Sequence, residues 1–107
     1  MAKFRLRFFF DWGSGVCLWA DNKEAEEKYD YPVDASLLPI SDELKKELNH
    51  LIDNHDDALN WDDPRGGLLW SREQIEQFIL RARDIYSRLC DELGSDYEIV
   101  FEENLII

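Results

Sequence analysis

The sequence predicts an α+β fold: a β-hairpin, two helices and a C-terminal strand, making one small, mostly antiparallel sheet with the helices on one face. Three observations carry that prediction. Apolar and charged side chains alternate over residues 3–10, two later stretches repeat apolar residues at helical spacing, and strand-forming residues return at Tyr97-Glu98-Ile99-Val100-Phe101-Glu102. With 107 residues, 45% of them hydrophobic, the chain reads as a single α+β domain spanning residues 1–107. Size scaling has such a domain bury about two-thirds of its unfolded surface.

In the first strand Phe4, Leu6, Phe8 and Phe10 point one way, and Lys3, Arg5, Arg7 and Phe9 the other. That period of two places one face on a core. Asp11-Trp12-Gly13-Ser14-Gly15 is turn chemistry, and Val16-Cys17-Leu18-Trp19-Ala20 completes an antiparallel hairpin. Residues 21–40 show little periodicity. Ala25–Tyr29 suits one short helical turn, and Asp30-Tyr31-Pro32-Val33 is extended, because a residue before proline is pushed out of the α region.

Ser41, followed by Asp42 and Glu43, starts a helix by capping and by negative charge at the positive end of its dipole. Leu44, Leu48, Leu51, Ile52 and Leu59 are its apolar residues, in regular period as far as Ile52. The run from Asn60 to Gly67 breaks the pattern. Ser71 and Gln74 form a capping box for a second helix. Its stripe of Ile75, Phe78, Ile79, Ala82, Ile85, Tyr86, Leu89 and Leu93 ends at Gly94, where a left-handed cap is wanted. If the last strand pairs with the first, Glu98 and Glu102 come near Arg5 and Arg7. Such exposed pairs are worth less than about 1 kcal/mol each and serve register more than stability.

The charge narrows the choice of partner. There are 24 acidic residues against 12 basic ones, a net charge of −12. Such a field repels a nucleic-acid backbone and an anionic membrane, so neither is expected as a partner, whereas a basic protein is complementary. Lys3, Arg5 and Arg7 beside Phe9 make a small basic strand face, but residues 8–107 carry nine positive and 24 negative charges and outweigh it. A signal peptide needs about 7–15 uninterrupted apolar residues, and Arg5 and Arg7 interrupt the N-terminal stretch. Apolar runs such as Phe8-Phe9-Phe10 and Val16-Cys17-Leu18-Trp19-Ala20 are far below the ~20 residues that span a bilayer. A cytoplasmic location is expected, with Cys17 and Cys90, which lack CxxC spacing, as reduced thiols.

Neither a metal, a cofactor nor a catalytic group is expected. His50 and His55 are five residues apart, so they point about 140° apart on a helix rather than to one metal. Asp53-Asn54-His55-Asp56-Asp57 lacks the glycine and the glutamate of a calcium loop. A serine or cysteine nucleophile needs a base, and both histidines lie among carboxylates that would keep them protonated. Gly13-Ser14-Gly15 lacks the spacing of a nucleophile elbow, and Gly66-Gly67 has no Lys-Ser/Thr behind it for phosphate.

What remains is acidic surface. Residues 21–63 hold 14 acidic residues and four lysines, a net of −10, with Tyr29, Tyr31 and Trp61 interleaved and Trp12 and Trp70 in neighbouring loops. In one reading these rings fold back onto the core edge. In the other, aromatic anchors inside a ring of carboxylates capture a basic protein. The candidate contact is Asp56, Asp57, Asp62 and Asp63 with Trp61, followed by Glu24, Glu26 and Glu27 with Tyr29 and Tyr31. A stand-alone small-ligand or housekeeping domain is the alternative, its loop tryptophans then lining a pocket.

Several segments resemble a family of small acidic bacterial proteins: Phe8-Phe9-Phe10-Asp11-Trp12-Gly13-Ser14-Gly15-Val16-Cys17-Leu18-Trp19, Tyr31-Pro32-Val33, Leu37-Leu38-Pro39-Ile40-Ser41, Leu59-Asn60-Trp61 and Leu93-Gly94-Ser95-Asp96-Tyr97-Glu98. The chain is similar in size and charge to the cytoplasmic immunity proteins of toxin–immunity pairs, including contact-dependent growth inhibition systems. The resemblance implies a non-catalytic inhibitor of a toxin, often a nuclease, whose basic cleft or neighbouring surface the acidic face would cover. It transfers no binding residue.

Overall fold

The computed structural model describes residues 2–103 and 106. The elements run β1 (Phe4–Phe8), β2 (Leu18–Ala20), α1 (Lys23–Tyr29), α2 (Asp42–Asp57), α3 (Arg72–Leu93) and β3 (Tyr97–Phe101), with 3-10 turns at Ala35–Leu37 and Pro64–Gly66. The fold is α+β, as expected, and the sheet order is β2-β1-β3.

The sheet is mixed rather than mostly antiparallel. β1 pairs antiparallel with β2, matching Leu6 to Ala20 and Phe8 to Leu18, but parallel with β3, matching Phe4 to Tyr97 and Phe8 to Phe101. The helices explain the difference. Phe78 near the start of α3 packs on Phe10, just beyond the end of β1, and the 22 residues of α3 run about 33 Å back along the sheet. The chain therefore turns at Gly94 beside the beginning of β1, and a strand starting there runs in the direction of β1.

Burial follows the strand period. Phe4, Leu6, Phe8 and Ile99 face the helices and join one core with Leu44, Leu48 and Leu51 of α2 and Phe78, Ala82, Ile85 and Leu89 of α3. Each such leucine, isoleucine or phenylalanine side chain contributes roughly 1.5–3 kcal/mol. On the opposite face Trp19 is nevertheless buried: Phe9 stacks on it at 4.8 Å and 9°, Tyr31 leans on it at 5.3 Å, and its Nε1–H donates to Phe9 O at 3.1 Å. Arg7 lies over Phe9 and pairs with Glu102 at 2.9 Å, while Arg5, opposite Glu98 in register, pairs instead with Asp21 at 2.9 Å.

The capping signals act as read. Ser41 Oγ accepts from Leu44 N, and Ser71 and Gln74 form a complete capping box. Gly94 has φ of 77° but an extended ψ of −163°, so it ends α3 in a glycine conformation other than the left-handed helical one. The short turn expected at Ala25–Tyr29 is a seven-residue helix capped by Asn22, whose Oδ1 accepts from Ala25 N. Both cysteines are free thiols; burial pushes Cys17 up to about 12.

Candidate partner-binding surface

The C-terminal end of α2 organises the first candidate patch. Near its end, where a helix runs short of intrahelical donors, the carbonyls of His55 and Asp56 accept from Ala58 N and Leu59 N at 3.1 and 3.3 Å, and two indoles add a second donor to each. Trp12 Nε1–H donates to His55 O at 2.7 Å, and Trp61 Nε1–H donates to Asp56 O at 2.9 Å. Asp56 Oδ1 in turn accepts from Gly13 N at 3.1 Å. The hairpin loop and the loop after α2 thus meet at one helix end. At Gly13 the φ of 81° favours glycine, and an added Cβ would come within 3.6 Å of the Trp61 ring.

Trp61 is 55% exposed even though its N–H is fixed. Asn60 Oδ1 accepts from Asp62 N at 3.1 Å and Asp63 N at 3.3 Å, the local turn expected of an asparagine. Asp57, Asp62 and Asp63 are exposed and, among the described residues, form no ion pair. The structure therefore brings Asp56, Asp57, Trp61, Asp62 and Asp63 to one end of α2, with Asp56 half-buried and already engaged by Gly13.

The second group is split. Glu26, Glu27 and Tyr31 line a shallow cleft of about 660 Å³, joined by Asp21 and Asp30 and by Lys23, which pairs with Glu27 at 3.8 Å. Glu24 borders a different hollow beside Lys3, Lys28 and Glu27, where basic neighbours offset its charge. Tyr29 is no surface anchor: it is buried, its ring meets Phe4 edge-on at 5.9 Å, and its hydroxyl bonds that of Tyr97 at 2.5 Å. Burial first, and then the Tyr29 hydroxyl, push Tyr97 up to about 12. The amphipathic spacing of Ala25 and Tyr29 was the available signal.

His55 also corrects the sequence reading. Although Asp56 and Asp11 favour its charged form, burial outweighs them and brings its pKa down to about 4. The imidazole stacks on Phe10 at 5.0 Å and on Trp12 at 4.4 Å, so it is a neutral core group near neutral pH rather than a protonated surface one. Of the other tryptophans, Trp12 and Trp70 are half-buried and Trp19 is buried. Most of the rings fold inward, and Trp61 does not.

Fold and surface together describe a small acidic α+β protein. The chain belongs to the Serratia CdiI immunity protein-like family, whose model matches residues 5–104. None of the curated proteins matches it. Among the described residues, no helix is long and apolar enough to cross a membrane.

Proposed function

We propose that this chain acts without catalysis, in the cytoplasm, as the inhibitor of a basic toxin domain, gripping it through the Trp61 end of α2. Membership of an immunity-protein family implies a toxin partner. The observation that carries the choice of face is that Trp61 is held outward by its bond to Asp56 O, beside exposed carboxylates that have no ion pair among the described residues. A pre-set ring loses little entropy on docking and excludes water from the charge pairs around it. Asp57, Asp62 and Asp63 then meet lysines or arginines of the partner. If the toxin is a nuclease, these carboxylates stand where substrate phosphates would. Asp21, Glu26, Glu27, Asp30 and Tyr31 form the second contact.

The test is binding of a cognate toxin domain, measured at low and high salt. Charge reversal across Asp56, Asp57, Asp62 and Asp63 is expected to weaken it at least about tenfold and to flatten its salt dependence. Unchanged affinity in a variant that still melts cooperatively rules this face out.

A further inference from the structure

A cleft of about 370 Å³ opens between α2 and two other segments, residues 15–18 leading into β2 and residues 32–36 leading into the 3-10 turn. Part of its wall is apolar: Cys17, Leu18, Val33 and Ile52 are all buried residues that continue into the core. The polar part of the lining carries both signs of charge. Lys45 and Asn49 come from α2 at a spacing of one turn, on the face that Ile52 continues, and Asp34 comes from the loop.

Asp34 and Lys45 line the same space without neutralising each other, and among the described residues neither belongs to a salt bridge. Asp34 is held in place: its Oδ1 accepts from Ser36 N at 3.0 Å and from Ser36 Oγ at 2.7 Å, which leaves Oδ2 for an incoming donor. Those bonds first, and then the Lys45 charge, hold the Asp34 carboxyl below its ordinary value. An oriented carboxylate and an ammonium on different walls of one apolar-backed cleft are complementary to a molecule that bears both charges. Asp34 is exposed at the rim of the cleft, so a fatty anion would satisfy Lys45 and leave Asp34 without an ionic partner, and a plain amine would do the reverse.

We propose that this cleft is a binding site for a small zwitterion with an apolar side chain, the chemistry of a free aliphatic α-amino acid. The ligand ammonium donates to Asp34 Oδ2, and its carboxylate accepts from Lys45 Nζ and the Asn49 amide. Its side chain lies against Val33 and Ile52. The volume, near the lower end of ligand pockets, is ample for a molecule of that size. A ligand with so few heavy atoms binds in roughly the millimolar range. The site owes nothing to the toxin-binding face.

The experiment is an amide NMR titration of the whole chain with L-leucine, and with its two single-charge analogues, isopentylamine and isocaproate. Leucine is expected to give saturable shifts confined to residues 15–18, 32–36 and 45–52. Each analogue should bind at least about tenfold more weakly, and Asp34→Asn and Lys45→Gln should each cost about the same factor. Absence of saturable shifts at millimolar leucine overturns the proposal, and so does isocaproate or isopentylamine binding as well as leucine. The comparison among ligands uses the unaltered protein, so it decides the matter even if a variant unfolds.

Discussion

Trp12 stacks on the imidazole of His55, with ring centroids 4.4 Å apart, and donates its indole N–H to that residue's own carbonyl at 2.7 Å. One side chain from the hairpin loop thus packs on the last turn of α2 and gives a second donor to a carbonyl that already accepts from Ala58 N at 3.1 Å. Phe10, two residues earlier, stacks on the same imidazole and meets Phe78 of α3 at 5.3 Å. Strand, loop and both long helices are joined at this point.

Replacing Trp12 separates its two roles. Trp12→Phe keeps a ring on His55 but loses the hydrogen bond, an expected cost of about 1 kcal/mol. Trp12→Ala loses the stacking as well and is expected to cost about 3 kcal/mol, less than a fully buried tryptophan because Trp12 is only half-buried. Urea unfolding measures both. Equal losses for the two variants would mean that the ring contact contributes nothing.

His55 gives stability a dependence on acid. Unfolded, it takes a proton near pH 6.5; folded, only near pH 4, because burial disfavours the charge. Between those values the proton binds the unfolded chain alone. Stability therefore falls as pH drops through this window, by at most about 3 kcal/mol from this group, and the group adds no further slope below it. In His55→Phe, which keeps an aromatic ring beside Phe10 and Trp12, the slope of melting temperature against pH between about 6.5 and about 4 should shrink. An unchanged slope would assign the acid sensitivity to carboxylates.

This region also shows what a sequence withholds. The stripe from Phe78 to Leu93, the Ser71–Gln74 box and the alternation of Phe4, Leu6 and Phe8 are local patterns, and each appears where its period put it. The parallel pairing of β3 depends on where α3 delivers the chain, which no local pattern encodes. His55 and Tyr29 look like surface residues because their sequence neighbours are charged. Their burial is decided by Phe10, Trp12 and Ile106 around one and by Phe4 and Tyr97 around the other, all distant along the chain. Trp61 was legible as a candidate because it lies among aspartates, but its outward setting comes from a bond to Asp56 O that spacing alone does not reveal.

A second long-range device caps the opposite end of α2. Glu92 of α3 accepts from Ser41 N at 2.6 Å and from Ser41 Oγ at 3.1 Å, placing a carboxylate at the positive end of the α2 dipole. Glu92→Gln retains the shape and removes the charge. It is expected to lower stability by about 0.5–1 kcal/mol, with a smaller loss at high salt. A loss indifferent to salt would reduce the contact to a neutral hydrogen bond.

Asp30 carries backbone strain. It ends α1 with φ of 69° and ψ of 172°, a region that glycine enters freely and other residues do not. Asp30→Gly is expected to raise stability by about 1 kcal/mol, since relief of strain outweighs the extra freedom of the unfolded chain. The same change removes a carboxylate from the cleft of Glu26, Glu27 and Tyr31. If that cleft contacts the toxin, a more stable protein will bind it more weakly. Stability and affinity rising together would exclude the cleft from the interface.

Trp61 puts the proposed contact to the same kind of test. Its ring is more than half exposed, so Trp61→Ala is expected to cost no more than about 1 kcal/mol of stability, mostly the bond to Asp56 O. As the central anchor of a docking face it should cost about 2 kcal/mol or more of binding, roughly a thirtyfold loss of affinity for the toxin domain. Trp12→Ala, which leaves the Trp61 ring in place, should instead lose stability with little change in affinity once allowance is made for the unfolded fraction. Parallel melting and binding measurements on the two variants separate a ring that holds the fold from one that holds the partner. If Trp61→Ala binds as tightly as the parent, its exposure serves some purpose other than capture of the toxin.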